Sequence, residues 1–249
     1  MLDLACSLYP SSMIVPLIPP IDVRVCDHLL EMGRDRLCFL VGQADSPPTE
    51  EYYRHTLQRP YYCFPFGSSG AQHGVEERQK YVAWTFAGGK SHRSNWNEYI
   101  PPLTEKSHDQ GLTYFLLDTL PDERKRIVLV DWLTLMNSLY PISVVCPNLH
   151  CPEQKRPGIR QDANQRLFDL AAVGACQVVD WFPLIDEYFE DDEVVKAKSP
   201  EEWGEKVLWY VRHSREAAQF GERAQKRWKA EHTWDHRAQQ LRQWVKENR

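Results

Sequence analysis

The stretch Arg160–Asp180 constrains the fold of this chain more than any other part of the sequence. It predicts a polar loop, a short helix with small residues on one face, a glycine stop and a buried strand. A helix opening with Asp162 and Asn164 offers free backbone N–H groups, and Arg160 and Arg166 flank that end. This pattern suits a phosphate or diphosphate. An ordinary α/β helix with solvated arginines would look the same, so both interpretations stay open.

Strand-like and helical segments alternate along the rest of the chain, which predicts a mostly parallel sheet covered by helices. The last 50 or so residues have helical periodicity, beginning with a capping box at Ser199 and a further N-cap at Thr233. The fold class is therefore α/β, Rossmann-like, with a C-terminal helical segment and a short N-terminal extension. The predicted strands are Leu37–Val41, Tyr81–Phe86, Leu112–Leu117, Ile142–Cys146 and Gln177–Val179, and further helices are predicted at Cys26–Met32 and Val128–Leu139.

A glycine-rich turn follows the strand predicted at Tyr81–Phe86. It consists of Gly88, Gly89 and Lys90, with Arg93 close behind. Such a turn after a strand is where α/β domains place anions, although a simple strand-to-helix turn has the same composition. Because ligands of parallel sheets bind beyond the carboxyl ends of the strands, we expect this turn to share one rim with the loops after the later strands.

Composition excludes several classes of protein. A net charge of −5 argues against a general nucleic-acid surface. The seven cysteines include no C-x-x-C pair, which favours reduced thiols and a cytoplasmic location over a disulfide framework. The sequence contains neither the roughly 20-residue apolar run of a membrane span nor the basic start of a signal peptide.

Three groups of residues have the composition of metal ligands, but we expect no metal site. His232 and His236 are four residues apart, yet Thr233 between them predicts a helix start that separates them. Cys146, His150 and Cys151 are close in sequence, but a zinc site needs four ligands, and the sequence offers no second pair of ligand residues to complete one. The acidic run from 186 to 193 is typical of a solvated loop.

Several elements of the second half of the chain follow one another in a specific order and spacing. They are Arg166–Asp169 with Ala171, Ala172 and Gly174, the strand ending at Asp180, Tyr188–Val195, Ser199–Glu202, and Glu231–Trp234 with Arg237. With these elements the second half of the chain resembles the donor-binding domain of GT-B glycosyltransferases, in particular the CgeB/YkvP-like group of the glycosyltransferase group 1 families. The family usually has glutamate where this chain has Asp169, and aspartate keeps the charge with a shorter reach.

The resemblance implies transfer of a sugar, as in hexosyltransferases, from a nucleotide-diphospho-sugar to an acceptor hydroxyl. No metal or other cofactor is implied, because cationic side chains and helix N-termini would stabilise the leaving diphosphate. Asp169 would hold ribose or sugar hydroxyls, and Asp162 is a weak candidate for a catalytic group. The candidate diphosphate-binding residues are Arg160, Asn164, Arg166, Gly88, Gly89, Lys90 and Arg93.

The domain boundaries are predicted at 1–71, an N-terminal extension or incomplete acceptor-side domain, and 72–249, the GT-B-like domain. The first segment is too short for a full acceptor domain. Two alternatives to an active enzyme follow: a catalytically silent domain of the same fold that needs a partner subunit or a second copy, and an unrelated α/β ligand-binding domain. The sequence leaves open the donor base, the sugar, the acceptor and the stereochemical outcome.

Overall fold

A computed structural model describes residues 39–42, 45–70, 79–90, 93–117 and 131–248. The helix predicted at Cys26–Met32 lies outside these residues. The chain divides into two compact units, each treated separately below. The small unit comprises Met1–Phe66, Arg156–Asp162 and Asp235–Arg249, and the main unit comprises Gly67–Lys155 and Ala163–Trp234. The predicted boundaries at 71 and 72 stay a prediction.

In the part that the structure describes, the main unit is built on a five-stranded parallel sheet. Its core contains Trp84, Phe86, Val145, Val178 and Trp203, all almost fully buried. The predicted α/β class with a mostly parallel sheet flanked by helices is therefore confirmed. The strands of this sheet are β3 (Val82–Ala87), β4 (Tyr114–Leu117), β5 (Ser143–Asn148), β8 (Cys176–Asp180) and β9 (Val195–Ala197), and their order is β4-β3-β5-β8-β9. Outside this sheet lie β1 (Leu40–Gly42), β2 (Tyr61–Cys63), β6 (Lys155–Arg156) and β7 (Arg160–Gln161).

Most helices of the C-terminal half agree with the sequence, and the earlier ones depart from it. The last three helices and the central helix were predicted, whereas those at Pro47–Leu57, Trp96–Asp109 and Leu184–Tyr188 were not. Part of the segment predicted as a helix up to Leu139 forms a π-helix at Leu135–Leu139. The helices are α1 (Pro47–Leu57), α2 (Trp96–Asp109), α3 (Trp132–Thr134), α4 (Gln165–Ala172), α5 (Leu184–Tyr188), α6 (Pro200–Arg212), α7 (Ser214–Glu231) and α8 (Trp234–Glu247), with a 3-10 turn at Pro152–Gln154.

The small residues at the end of α4 allow a close helix contact. Gly174, with φ +66°, ends the helix as predicted, because that backbone region favours glycine. A Cβ at Gly221 of α7 would collide with the backbone carbonyl of Gly174. Gln225, one turn further along α7, donates to the carbonyl of Ala172 at 3.0 Å. The slim face therefore packs against a helix as well as against the sheet.

In the small unit, β1 and β2 are parallel neighbours joined by α1. The C-terminal helix α8 packs against them through Trp244, whose ring stacks on Tyr62 with centroids 4.7 Å apart and contacts Phe39 edge-on. The terminal helix thus belongs to the unit that contains the N-terminal strands. Across the described ranges, no helix combines the length and apolar character that a bilayer crossing requires.

Candidate functional site

Two arginines converge on Gly88, directly after β3 at the carboxyl edge of the sheet. A Cβ built on Gly88 would lie 2.8 Å from a terminal nitrogen of Arg166 and 3.0 Å from Nη1 of Arg93. The Gly88 N–H donates to the carbonyl of Leu117 at 2.9 Å, which fixes the turn against β4. Glycine at this position therefore leaves the space in which both guanidinium groups meet.

Arg166 is held by neutral groups. Its guanidinium carbon lies 5.0 Å from the centre of the Phe86 ring, and Nη1 lies 3.5 Å from Oδ1 of Asn148. It also lies near the hydroxyl of Tyr140; burial raises the pKa of Tyr140 to about 12, and the nearby guanidinium opposes that rise. No carboxylate in the described ranges forms an ion pair with Arg166. Its charge is thus partly desolvated and available to an anion.

Arg93 approaches the same place from the start of α2. It donates from Nη1 to the carbonyl of Gly89 at 2.9 Å and from Nε to the carbonyl of Leu149 at 3.2 Å. Its guanidinium carbon lies 5.8 Å from the Phe86 ring centre. Gly89 is buried, while Lys90 is exposed. The predicted glycine turn and the predicted central helix therefore contribute one arginine each to one cluster.

Asn164 caps the central helix, which begins at Gln165. Its Oδ1 accepts from the N–H of Leu167 at 3.1 Å, and its Nδ2 donates to Oδ1 of Asn148 at 2.9 Å. Asn148 is in turn in contact with Gln177, which donates to the carbonyl of Leu167 at 3.0 Å. This chain of amides, of which Asn148 and Gln177 are buried, fixes the helix start and Arg166 relative to β5 and β8.

Asp169 lies on the buried side of α4. Nε1 of Trp132 donates to its Oδ2 at 2.9 Å, whereas Oδ1 makes no hydrogen bond of normal geometry among the residues described. Burial raises the pKa of the Asp169 carboxyl above its usual range, and hydrogen bonding from Trp132, together with the proximity of Ser68, Gln165 and Arg166, opposes the rise. Oδ1 is therefore a buried acceptor without a hydrogen bond, on a carboxylate that is held in place.

The remaining predicted site residues are placed as follows. Asp162 is buried and belongs to the small unit, so its part in the site stays a prediction. Arg160 lies on β7, and its side chain is outside the described part of the structure. The structure thus brings together Gly88, Arg93, Asn164 and Arg166.

Sequence reasoning missed a buried charged group at the same sheet edge. His150 follows β5 and Asp180 ends β8; Nδ1 of the imidazole lies 2.8 Å from Oδ1 of the carboxylate. Lys155 donates to the other oxygen, Oδ2, at 2.9 Å. A polar residue at the end of each of two neighbouring strands was the available signal, but only the pairing of β5 with β8 makes it a contact.

Two of the histidines that were considered above as metal ligands, His232 and His150, contact other groups in this structure. The His232 ring packs among Phe168, Tyr188 and Phe189, and its Nε2 lies 2.9 Å from the carbonyl of Tyr188. His150 is bound to Asp180, as described above. Within the described ranges, no three His, Cys, Asp or Glu side chains are grouped so that they could hold a metal ion.

The acidic run is only partly a loop. Its first residues lie in α5, and Asp186 and Asp191 form ion pairs with Lys196 at 2.7 and 2.8 Å. Glu193 pairs with Arg227 at 3.1 Å. Much of the negative charge is therefore neutralised by neighbouring cations.

The family model described as "Glycosyl transferase-like" matches residues 114–243, just over half of the chain. The chain belongs to this glycosyl transferase-like family. The matched range includes Asn164, Arg166 and Asp169, and it ends within α8. No curated protein matches the sequence.

Solved structures place the fold of this family member among GT-B glycosyltransferases. A glycosyltransferase from Rickettsia africae has a TM-score of 0.60 at 8% identity, with 99% of this chain and 79% of that chain covered. Anabaena HepE, solved with UDP and glucose, has a TM-score of 0.59 at 8% identity, with coverages of 97% and 73%. The T4 phage BGT, solved with its UDP-glucose substrate, has a TM-score of 0.52 at 12% identity, with coverages of 85% and 62%. This chain therefore spans about three fifths of the length of the phage enzyme, and these likenesses concern the fold.

Proposed function

We propose that this protein binds a nucleotide-diphospho-sugar and transfers its sugar to an acceptor hydroxyl, as a hexosyltransferase of the CgeB/YkvP-like group. The observation that carries the proposal is the convergence of Arg93 and Arg166 on Gly88 at the carboxyl edge of the sheet. Two cations directed at one small space are suited to a doubly charged anion such as a diphosphate. Neighbouring folds were solved with UDP-glucose or UDP, which agrees with this ligand class.

The chemical problem in such a transfer is the negative charge that builds on the departing nucleoside diphosphate. Arg166 lies among an aromatic ring, a tyrosine hydroxyl and an amide, and no carboxylate of the described residues forms an ion pair with it, although Asp169 is close enough to interact with its charge. Preorganised cations of this kind stabilise a developing anion without reorganising during the reaction. Asn164 uses its side chain to cap α4, and the N-terminal end of that helix adds a favourable dipole.

Asp169 would bind ribose or sugar hydroxyls; Trp132 engages its Oδ2, and its Oδ1 is buried without a hydrogen bond. A carboxylate accepts several hydrogen bonds, so Trp132 and a hydroxyl can share it. On the sequence argument alone, Arg160 and Lys90 are proposed as further diphosphate-binding residues and Asp162 as the candidate catalytic group. The cytoplasmic location likewise stays a proposal from the cysteine pattern.

A catalytically silent nucleotide- or protein-binding domain is the second candidate. It is favoured by Asp169 in the position of the family's glutamate, and by the hydrogen bond with which Trp132 already engages that carboxylate. The chain would then act together with a partner subunit or a second copy. Binding of a nucleotide without turnover distinguishes this candidate from the enzyme.

The first experiment is a thermal-shift screen with UDP, GDP, dTDP, CDP and ADP, each alone and as its nucleotide-sugar. We expect one nucleoside diphosphate to raise the melting temperature, since a ligand that binds only the native state stabilises it. Arg166→Ala should remove that shift. Arg227→Ala is the matched control, because Arg227 lies in surface ion pairs with Glu190, Glu193 and Glu231.

The outcomes separate the candidates. No shift with any nucleotide, in a folded protein, rejects the proposed donor site. An equal loss in the Arg166 and Arg227 variants rejects the assignment to the arginine cluster. If a nucleotide binds, release of the nucleoside diphosphate from the matching nucleotide-sugar measures turnover, and its absence with added acceptors favours the silent domain.

A further inference from the structure

We propose that Asp180, acting through His150, is the positioning residue of the arginine cluster. The inference rests on the proposed function, since it assigns a second group to the same anion-binding site. Asp180 is 1% exposed and His150 is fully buried. Neither touches the space beside Gly88 in any contact that the structure gives, so their effect on a ligand would be transmitted through the backbone.

Asp180 anchors His150 twice. Its Oδ1 accepts from the backbone N–H of His150 at 2.9 Å and lies 2.8 Å from Nδ1 of the same residue. Lys155 donates to Oδ2 at 2.9 Å, which completes the set of partners of the buried carboxylate. A buried carboxylate with three charge-compensating donors is a rigid anchor, because each lost donor would leave buried charge uncompensated.

The anchored segment is the one that holds both arginines. Asn148 contacts Nη1 of Arg166 through Oδ1, and the carbonyl of Leu149 accepts from Nε of Arg93 at 3.2 Å. The carbonyl of His150 accepts from Nδ2 of Asn95, two residues after Arg93, at 3.2 Å. Three consecutive residues therefore set the positions of the two guanidinium groups, and Asp180 fixes the third of them.

The charges around this anchor argue for a positioning role. Within the described part of the chain, Lys155 and His150 are the partners of Asp180, and neither forms an ion pair with another carboxylate. The His150 ring packs edge-on against Phe182 with centroids 4.9 Å apart, and Nε2 is buried without a hydrogen bond. The ring is thus enclosed at a fixed orientation. Loss of the Asp180 contact would free the end of β5 to shift, and displacements of about 1 Å suffice to cost up to a hundredfold where groups must be aligned.

The test measures binding of inorganic pyrophosphate, and of the nucleoside diphosphate found in the screen, by calorimetry. Asp180→Asn should weaken both at least tenfold while the protein remains folded, because a carboxamide has a single acceptor oxygen and cannot accept from both His150 and Lys155. Asp186→Asn is the matched control, because it makes the same change six residues later. Asp186 forms an ion pair with Lys196 and accepts a hydrogen bond from the indole N–H of Trp181 at 3.0 Å. It should bind like the wild type.

A second pair of variants decides the question if Asp180→Asn does not fold. His150→Asn can still donate toward Asp180 and should keep most of the affinity, whereas His150→Phe keeps a ring without the donor and should lose about tenfold. If the His150 ring only filled space, His150→Phe would keep the affinity and His150→Asn would lose it.

Each outcome bears on one claim. Wild-type affinity in a folded Asp180→Asn protein, or in His150→Phe, overturns the positioning role and leaves the proposed function intact. An equal loss in Asp186→Asn also overturns it, since the effect would then be one of general charge. A wild-type protein that binds neither pyrophosphate nor any nucleotide overturns both proposals.

Discussion

The indole Nε1 of Trp132 donates to Oδ2 of Asp169 across 37 residues of sequence, at 2.9 Å. The contact joins the helical segment before β5 to the central helix α4. It stabilises a carboxylate whose burial raises its pKa, and Oδ1 is buried without a hydrogen bond. The residue that the resemblance assigns to ribose or sugar hydroxyls is therefore held by a tryptophan that the resemblance does not include.

Replacement of Trp132 should destabilise the protein, because the buried Asp169 carboxylate loses a hydrogen bond. We expect Trp132→Phe to lower the free energy of unfolding by about 1.5–3 kcal/mol, because a hydrogen bond to a charged group is lost while the ring is largely kept. Trp181→Phe is the control, since the Trp181 indole donates to Asp186 at the surface. Urea denaturation of both variants measures the difference, and equal losses would contradict the assigned role of the buried pair.

The Asp169 carboxyl should make stability depend on pH. Its pKa is raised in the folded protein, so the native state binds the proton more tightly than the unfolded chain does. The free energy of unfolding therefore decreases as the pH rises from the ordinary value of 3.8 through the folded pKa, and stays lower above it.

Asp169→Asn lacks this penalty and keeps an oxygen acceptor for Trp132. We expect it to be more stable than the wild type at pH 7, with the difference shrinking as the pH falls through the raised pKa of the folded state to the ordinary value of 3.8. Denaturation curves at pH 7 and at mildly acidic pH measure this trend. A constant difference across that range would mean that titration of Asp169 is not its cause. Nucleotide affinity should fall in the same variant, which is the expected trade-off at a binding site.

The Gly88→Ala substitution should separate binding from folding. The added methyl group would meet terminal nitrogens of Arg166 and Arg93, which are the mobile ends of long side chains. We expect the melting temperature to change little and the affinity for a nucleoside diphosphate to fall about tenfold, because the arginines are displaced from their meeting point. Calorimetric titration is the measurement, and undiminished affinity would show that the anion binds elsewhere.

Replacing either of two helical glycines by alanine should change the stability of the protein, in opposite directions at the two positions. A Cβ at Gly221 would collide with the backbone of Gly174, which cannot move aside cheaply, so Gly221→Ala should cost about 1–3 kcal/mol. A Cβ at Gly204 in α6 meets nothing within 4 Å. Gly204→Ala should therefore stabilise the protein by about 0.5–1 kcal/mol through helix propensity. Thermal unfolding of both variants checks the pair, and the same sign in both would contradict the packing described for α4 and α7.

Several elements could be predicted from the sequence because their causes are local. The cap at Asn164, the left-handed glycine at Gly174 and the capping serine at Ser199 each act within a few residues, and all three lie where the sequence indicated. The strands β3, β5 and β8 have continuous apolar sequences that indicate burial on both faces.

The helices α1 and α2 escaped prediction, and both contain a pair of adjacent prolines. Proline in the first turn of a helix lacks only an N–H that no helix would use, so α1 begins at Pro47. In α2, Pro101 and Pro102 lie inside the helix and lack two interior N–H groups. Buried side chains on one face compensate for this loss, and they are Trp96, Tyr99, Ile100 and Leu103.

The sequence by itself determined the α/β class, the family and the residue types suited to an anion, since periodicity, caps and motifs are properties of neighbouring residues. Only the tertiary structure decided which of those residues meet. Arg93 and Arg166 converge because β3 and β5 are adjacent in the sheet, and His150 reaches Asp180 because β5 pairs with β8. Such contacts depend on strand order, which is set by the packing of the whole core rather than by any local pattern.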